Sequence, residues 1–215
     1  MADARNQCAT SFGGLYDFYI ERPWLTRVIS RCVWGIEVAD MYASMEVIGR
    51  QADGSTVVDV PCGGGLALRA LRPAQEVRYV AIDIAPDMLA RTRAKAAARD
   101  LRSVETVEAD MRHLPLPEAS ADLLVTYSGL HMINDPENAI SEFARVLRPN
   151  GRLVGSSFVA DGSRRTRLLF AAGARRGLAV PPADSATIVR WLEAAGLTDI
   201  EIGGRGFVVF RARRA

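Results

Sequence analysis

The sequence predicts an α/β protein: a doubly wound sheet, mainly parallel, ending in an antiparallel C-terminal hairpin strand. Three observations predict it. Between about residues 54 and 160, short apolar runs rich in β-branched residues alternate with helix-like stretches. The first run, Thr56 to Val60, feeds three consecutive glycines, Gly63 to Gly65, and then a helix start. Near the end of the chain, Thr198 to Ile202 and Gly206 to Arg211 flank Gly203-Gly204 as a hairpin would.

The elements follow in order. Residues 1–50 hold seven of the chain's fifteen aromatics, namely Phe12, Tyr16, Phe18, Tyr19, Trp24, Trp34 and Tyr42, which marks this segment off as a helical lid. Within it, Trp24 to Val33 and Ile36 to Ile48 carry apolar residues at helical spacing. Residues 51–215 form the core, with one domain expected overall. Strands are predicted at 56–60, 77–84, 104–108, 121–127 and 152–159. Helices are predicted at 66–71, from Pro86 to Arg99, from Pro136 to Leu147 and from Ala186 to Ala195. Pro86 suits a first helical turn, where its missing N–H has no partner. Pro149-Asn150-Gly151 reads as a turn with Gly151 in the left-handed region. Residues 161–182 interrupt the alternation with a short helical insertion. Five strands plus the hairpin make seven.

Composition excludes several classes. The chain is 49% hydrophobic and 24% charged, the balance of an ordinary globular protein. No apolar run approaches a membrane span, and Met1 to Arg5 lacks the apolar core of a signal peptide. The cysteines Cys8, Cys32 and Cys62 are scattered, without metal-ligand or disulfide spacing, so a reducing, cytoplasmic setting and no bound metal are expected. A net charge of +2 is small for a nucleic-acid binder. Arg164, Arg165, Arg167, Arg175 and Arg176 cluster, either as a solvated helix face or as a contact for an anionic partner.

Doubly wound sheets bind ligands where strands end. The Gly63–Gly65 loop, Asp83, Asp110 and Ser128 each follow a predicted strand. An acid at the end of the second strand, as Asp83 is, accepts hydrogen bonds from a ribose diol. The glycines do not fit G-x-G-x-x-G, because Pro61 and Ala67 occupy positions where glycine is needed. That weighs against a dinucleotide.

These stretches, VVDVPCGGG (57–65), YVAIDIAPDMLARTR (79–93) and VEAD through NGRL (107–153), resemble the class I S-adenosylmethionine-dependent methyltransferases. The likeness is closest to the small-molecule, ubiquinone- and menaquinone-biosynthesis type of branch, and it spans roughly residues 54–160. It implies a Rossmann-like sheet and S-adenosyl-L-methionine as cofactor, with S-adenosyl-L-homocysteine as product. It implies that Asp59, Pro61, Cys62, Gly63 and Gly65 line the methionyl part. Asp83 would hold the ribose, with Ile84 and Met88 against the adenine. Asp110 and Met111 would meet the adenine edge, and Ser128 would lie near the methionyl end. The family loop usually begins with glycine where this chain has Pro61.

Methyl transfer from a sulfonium needs alignment more than covalent help. A base is required only where the acceptor must first lose a proton. His131, after the fourth strand, is the candidate base or substrate contact; His113 is the other histidine. Tyr16 is a candidate cofactor contact, and Tyr19, Trp24 and Trp34 are candidate acceptor contacts. The aromatic lead-in points to a small aromatic or heterocyclic acceptor bearing a hydroxyl or nitrogen. Carbon methylation of a quinone precursor is the alternative. A nucleotide-binding oxidoreductase and a non-catalytic cofactor-binding protein are alternatives from other classes. The expected assembly is a monomer or homodimer.

Overall fold

The computed structural model describes residues 22–34, 36–162, 164–175 and 180–215. Seven strands form one sheet in the order β3-β2-β1-β4-β5-β7-β6. They are β1 Thr56–Asp59, β2 Arg78–Asp83, β3 Val104–Glu108, β4 Ala121–Tyr127, β5 Leu147–Phe158, β6 Leu197–Gly204 and β7 Phe207–Arg214. The first five run parallel to one another. β7 lies antiparallel against both β5 and β6. The predicted seven-stranded, mainly parallel sheet with its antiparallel hairpin is therefore what forms.

The helices are α1 Pro23–Ile29, α2 Ala39–Ser44, α3 Glu46–Gly49, α4 Pro86–Ala98, α5 Pro136–Val146, α6 Arg164–Arg175 and α7 Ser185–Ala194. Alternation along the strands decides which helix covers which face. Val58, Val80, Ile82 and Leu124 point into a core shared with α5 and α7, through Ile140, Phe143, Ile188 and Leu192. Val57, Tyr79, Ala81, Leu123 and Val125 point the other way, onto Leu89 and Ala96 of α4. Neighbouring residues on one strand thus serve opposite cores, as a period of two requires. That is why these strands read as continuous apolar runs rather than alternating ones. A third cluster packs Ile36, Val38, Met41 and Met45 against Phe207 and Val209 of β7. The Tyr42 hydroxyl donates to Thr26 Oγ1 at 3.0 Å and ties α2 to α1.

Several boundaries differ from expectation. The helix expected over 36–48 is two short helices joined at Met45. The one expected over 24–33 is α1 followed by a π turn, Ser30–Trp34, and that over 66–71 is a single 3-10 turn, Ala67–Ala70. β5 starts at Leu147 rather than Arg152, and its pairing with β4 slips between Ala121 and Leu123. Asn150, not Gly151, takes the left-handed conformation there, with φ of 65°. Gly151 is needed for closeness instead: a Cβ would sit 2.8 Å from the Arg148 carbonyl oxygen. Gly203 and Gly204 lie within β6, and Gly206, with φ of 75°, is at the bend. Among the described residues no helix is long and apolar enough to cross a membrane.

Candidate functional site

The strand order reverses between β1 and β4, which opens a crevice at their carboxyl ends. The glycine loop enters it from β1 through a cis Val60–Pro61 peptide. Its shape is held from below. Cys62 N–H donates to the Ile82 carbonyl at 2.8 Å, and Thr92 Oγ1 donates to the Gly63 carbonyl at 2.8 Å. Lys95 Nζ donates to the Gly64 carbonyl. Gly65 has φ of +76°, and a Cβ there would press on Thr92. Gly63, by contrast, has φ of +51° and no atom within 4 Å of where a Cβ would stand. One glycine is required for packing, the other leaves open space above bare backbone.

Asp83 borders that space. Its carboxylate accepts from Gly63 N–H and from Ala85 N–H, each at 2.9 Å. It is 7% exposed, and burial raises its pKa against the lowering effect of those amides. An ionised carboxylate offers about four lone-pair positions, so acceptor capacity remains for a vicinal diol. Next to it Ile84 is 55% exposed, an uncovered apolar face at the end of a buried strand. Met88, on the first turn of α4, is partly buried.

Asp59 lies beneath the loop. It is 1% exposed and accepts from the Tyr79 hydroxyl at 2.7 Å. Burial pushes its pKa up to about 7, opposed by Tyr79 and reinforced by Asp83. Neither Asp59 nor Asp83 is paired with an Arg or Lys among the described residues. An acid at the loop without a counter-cation, as Asp83 is, disfavours a pyrophosphate. Cys62 is also buried, its thiol pKa raised by burial, and lies within sulfur contact of Thr92 at 3.7 Å. Asp59 and Cys62 therefore support the loop from within rather than presenting side chains above it. Pro61 packs on Gly129, where a Cβ would collide with its ring.

Asp110 is held differently. Arg112 clasps it, with Nη2 donating to Oδ2 at 2.6 Å and Nε and the backbone N–H donating to Oδ1 at 3.0 and 2.9 Å. The Arg112 hydrogen bonds keep the Asp110 pKa below the usual carboxylate range. Met111 is in the core, close to Gly129. Ser128 has φ of 58°, uncommon for a residue with a Cβ, and its N–H donates to the Ser156 carbonyl at 2.9 Å.

His131 sits on a 3-10 turn, Leu130–Met132, within a cluster of rings. Phe158 meets it edge-on at 4.9 Å and Phe170 at 6.2 Å between centroids. Phe158 also meets Phe170 at 5.2 Å and Phe207 at 5.1 Å. Nδ1 lies 3.5 Å from Ser157 Oγ, which itself donates to the Phe158 carbonyl at 3.0 Å. Burial pushes the His131 pKa down to about 4, so the ring is neutral at physiological pH. A base that weak is poorly matched to an ordinary phenol. His131 is better suited to contacting an acceptor than to taking its proton.

Other expected contacts fall elsewhere. Tyr16 and Tyr19 lie outside the described residues, as does the side chain of Trp34. Trp24 is 67% exposed on α1. His113 is exposed beside Asp110 and Glu142, whose carboxylates it helps hold ionised. Tyr79, Thr92, Arg112, Phe158, Phe170 and Phe207 were not singled out from sequence. Arg112 had a signal, being two residues from Asp110 in one loop. The three phenylalanines come from separate elements with no spacing to link them. Among the described residues no group of three or more His, Cys, Asp or Glu is placed to hold a metal ion.

Residues 58–155 match the family model described as a methyltransferase domain. The chain is 41% identical over 103 residues to a demethylmenaquinone methyltransferase of Thermus thermophilus, covering 47% of this chain and 46% of that protein. It is 32% identical over 119 residues to a malonyl-[acyl-carrier protein] O-methyltransferase of Hahella chejuensis, covering 55% and 42%. The chain spans less than half the length of these curated relatives. Among solved structures, a Haemonchus contortus phosphoethanolamine N-methyltransferase 2 bound to S-adenosylhomocysteine superposes with a TM-score of 0.70. That pair is 13% identical and covers 81% of this chain and 52% of the other. At that identity the likeness speaks for the fold.

Proposed function

We propose that this chain, whose residues 58–155 match a methyltransferase domain, is a class I S-adenosylmethionine-dependent methyltransferase that transfers a methyl group from that cofactor to a small acceptor. The observation that carries the proposal is the junction of Gly63, Asp83 and Ile84. Open backbone, a carboxylate with spare acceptor capacity and an exposed apolar face stand side by side there. The residues present fit the cofactor: Asp83 would hold the ribose hydroxyls, Ile84 and Met88 the adenine face, and the loop around Gly63 the methionyl part. Asp83, without an Arg or Lys partner among the described residues, opposes a dinucleotide pyrophosphate.

The bound sulfonium would supply an already activated methyl group. The work left to this chain is to orient and to exclude water. His131, Phe158 and Phe170, each partly exposed and backed by the buried Phe207, offer an apolar wall suited to a flat acceptor. The neutral imidazole offers a hydrogen bond at its edge. With no strong base there, the wall favours a nucleophile that is ionised beforehand or readily ionised. We therefore favour an aromatic or heterocyclic acceptor methylated at oxygen or nitrogen. Carbon methylation of a quinone precursor is a second reading, supported by the Thermus thermophilus relative.

Thermal-shift titration tests the cofactor. S-adenosylhomocysteine is expected to raise the melting temperature and NADH to leave it unchanged; the reverse pattern would overturn the proposal. Radiolabelled methyl transfer to phenols, hydroxyquinolines and quinols then tests the acceptor. Label is expected in the phenol or hydroxyquinoline product, and label on quinol carbon alone selects the second reading.

A further inference from the structure

The helix α6 has a face that the methyl-transfer site does not use. Its sequence is RRTRLLFAAGAR, and the chain contains no acidic residue between Asp161 and Asp184. Arg164, Arg167, Leu168, Ala171 and Arg175 are all exposed. At about 100° per residue these five fall on one stripe. Some arginines elsewhere are matched to acids, as Arg112 is to Asp110, Arg145 to Glu142, Arg148 to Asp122 and Arg214 to Glu118, while Arg31, Arg72, Arg152 and Arg205, unmatched among the described residues, stand singly in the sequence rather than in a cluster. Arg164, Arg167 and Arg175 have no hydrogen bond or ion pair with any described residue. Phe170, about a third of a turn round from the stripe, packs on Phe158 and His131. Whatever seats on the stripe therefore sits beside the apolar wall.

The geometry points to α6 as a docking face for an acidic protein that presents the acceptor beside the ring cluster of Phe158, Phe170 and His131. This rests on the methyl-transfer reading above and narrows its acceptor to one carried by a protein. Three lines favour this occupant. Arg164 and Arg175 stand eleven residues apart, about 16 Å along the axis, too far for one small anion to bridge. Their spacing suits carboxylates arrayed along a partner surface. The stripe has no aromatic side chain on which bases could stack, and the whole chain carries only +2, which disfavours nucleic acid. Leu168, 69% exposed, is the single large apolar residue on the stripe, whereas an interfacial membrane helix needs a broad apolar face. A central leucine within a guanidinium border fits a protein contact with an apolar centre and a charged rim.

The test uses the full chain with S-adenosylhomocysteine bound. The probe is an apo acyl carrier protein, a small acidic helical protein, immobilised for interferometry. The parent is compared with the charge-reversed triple variant Arg164→Glu, Arg167→Glu, Arg175→Glu and with the neutral triple Arg→Gln variant at the same positions. Expected is parent binding that weakens about tenfold or more on charge reversal and on raising the salt, with the Gln variant between them. S-adenosylhomocysteine affinity, measured on the same samples, is expected to stay constant across the three proteins. Equal binding by parent and both variants, or no binding by the parent, overturns the proposal. So does preferential binding of phosphatidylserine vesicles or of duplex DNA in parallel runs. Loss of S-adenosylhomocysteine binding by the parent would instead strike the methyl-transfer reading, whatever the carrier protein does.

Discussion

Two stretches of the same rim are built in opposite ways. Around Asp83 the structure gathers acids and backbone amides with no counter-cation among the described residues, under a glycine that leaves space open. Around His131 it gathers rings and leaves a histidine stripped of its charge. The first region suits a polar ligand of fixed shape. The second suits a flat apolar one, and it contributes little proton chemistry. Their difference teaches that recognition on the Asp83 side is a matter of hydrogen bonds, while on the His131 side it is a matter of shape.

The largest effect that would break this comparison concerns charge beneath the loop. Asp59 has its folded pKa raised to about 7. Its contribution to stability is therefore complete below the ordinary carboxylate pKa and is lost as pH rises through about 7. The gap between the two values corresponds to ~4 kcal/mol. Asp59→Asn keeps an acceptor for Tyr79 but cannot ionise. Urea unfolding should show the variant gaining stability relative to the parent between pH 4 and 8. A constant difference across that range would show that Asp59 is not a strained buried acid.

His131 gives the opposite slope. Its folded pKa is depressed to about 4. The stability it contributes is present above its ordinary value near 6.5 and lost as pH falls through about 4, ~3 kcal/mol in all. His131→Phe should abolish that acid-side loss in the same unfolding measurement. It should also leave S-adenosylhomocysteine affinity intact, since the ring cluster stands on the acceptor side. A variant that unfolds in acid just as the parent does would show that the His131 ring is not held neutral by its surroundings.

Next in size is Asp83→Ala. Two backbone amides lose their acceptor and the ribose loses its partner, a cost of about 1–3 kcal/mol in cofactor binding. Calorimetry should show S-adenosylhomocysteine affinity falling by a factor between about 5 and 150. Unchanged affinity would take Asp83 out of the site. The smallest change is expected at Arg112→Ala. Its pair with Asp110 is partly exposed and worth up to ~1 kcal/mol. Freeing the Asp110 oxygens should tighten S-adenosylhomocysteine binding by less than about tenfold, with the dependence on salt reduced. Weaker binding would mean that Arg112 holds Asp110 in its useful position.

The Asp83 side was the more legible in sequence. Its parts lie in continuous stretches, a strand, a glycine loop and the next strand end, so local pattern and spacing reveal them. Even there the sequence did not distinguish Gly63 from Gly65, because open space and close packing depend on Thr92, far along the chain. Nor did it separate Asp83 from Asp110, since the clasp by Arg112 depends on how the loop folds back. Propensity points to Gly151 for the left-handed turn, whereas crowding by Arg148 and Ala121 reserves it for close approach and leaves the turn to Asn150.

What the sequence determined by itself is the alternation of strand and helix, the number of strands and the rim on which Gly63, Asp83, Asp110 and Ser128 stand. Periodicity and glycine chemistry are local, and they are written in neighbouring residues. What only the tertiary structure decided is which charges go unpaired and which rings meet. Asp59 gains its raised pKa by being sealed under the loop, His131 its lowered one among Phe158 and Phe170. Both depend on burial, which elements distant in the chain supply only once the sheet has brought them together.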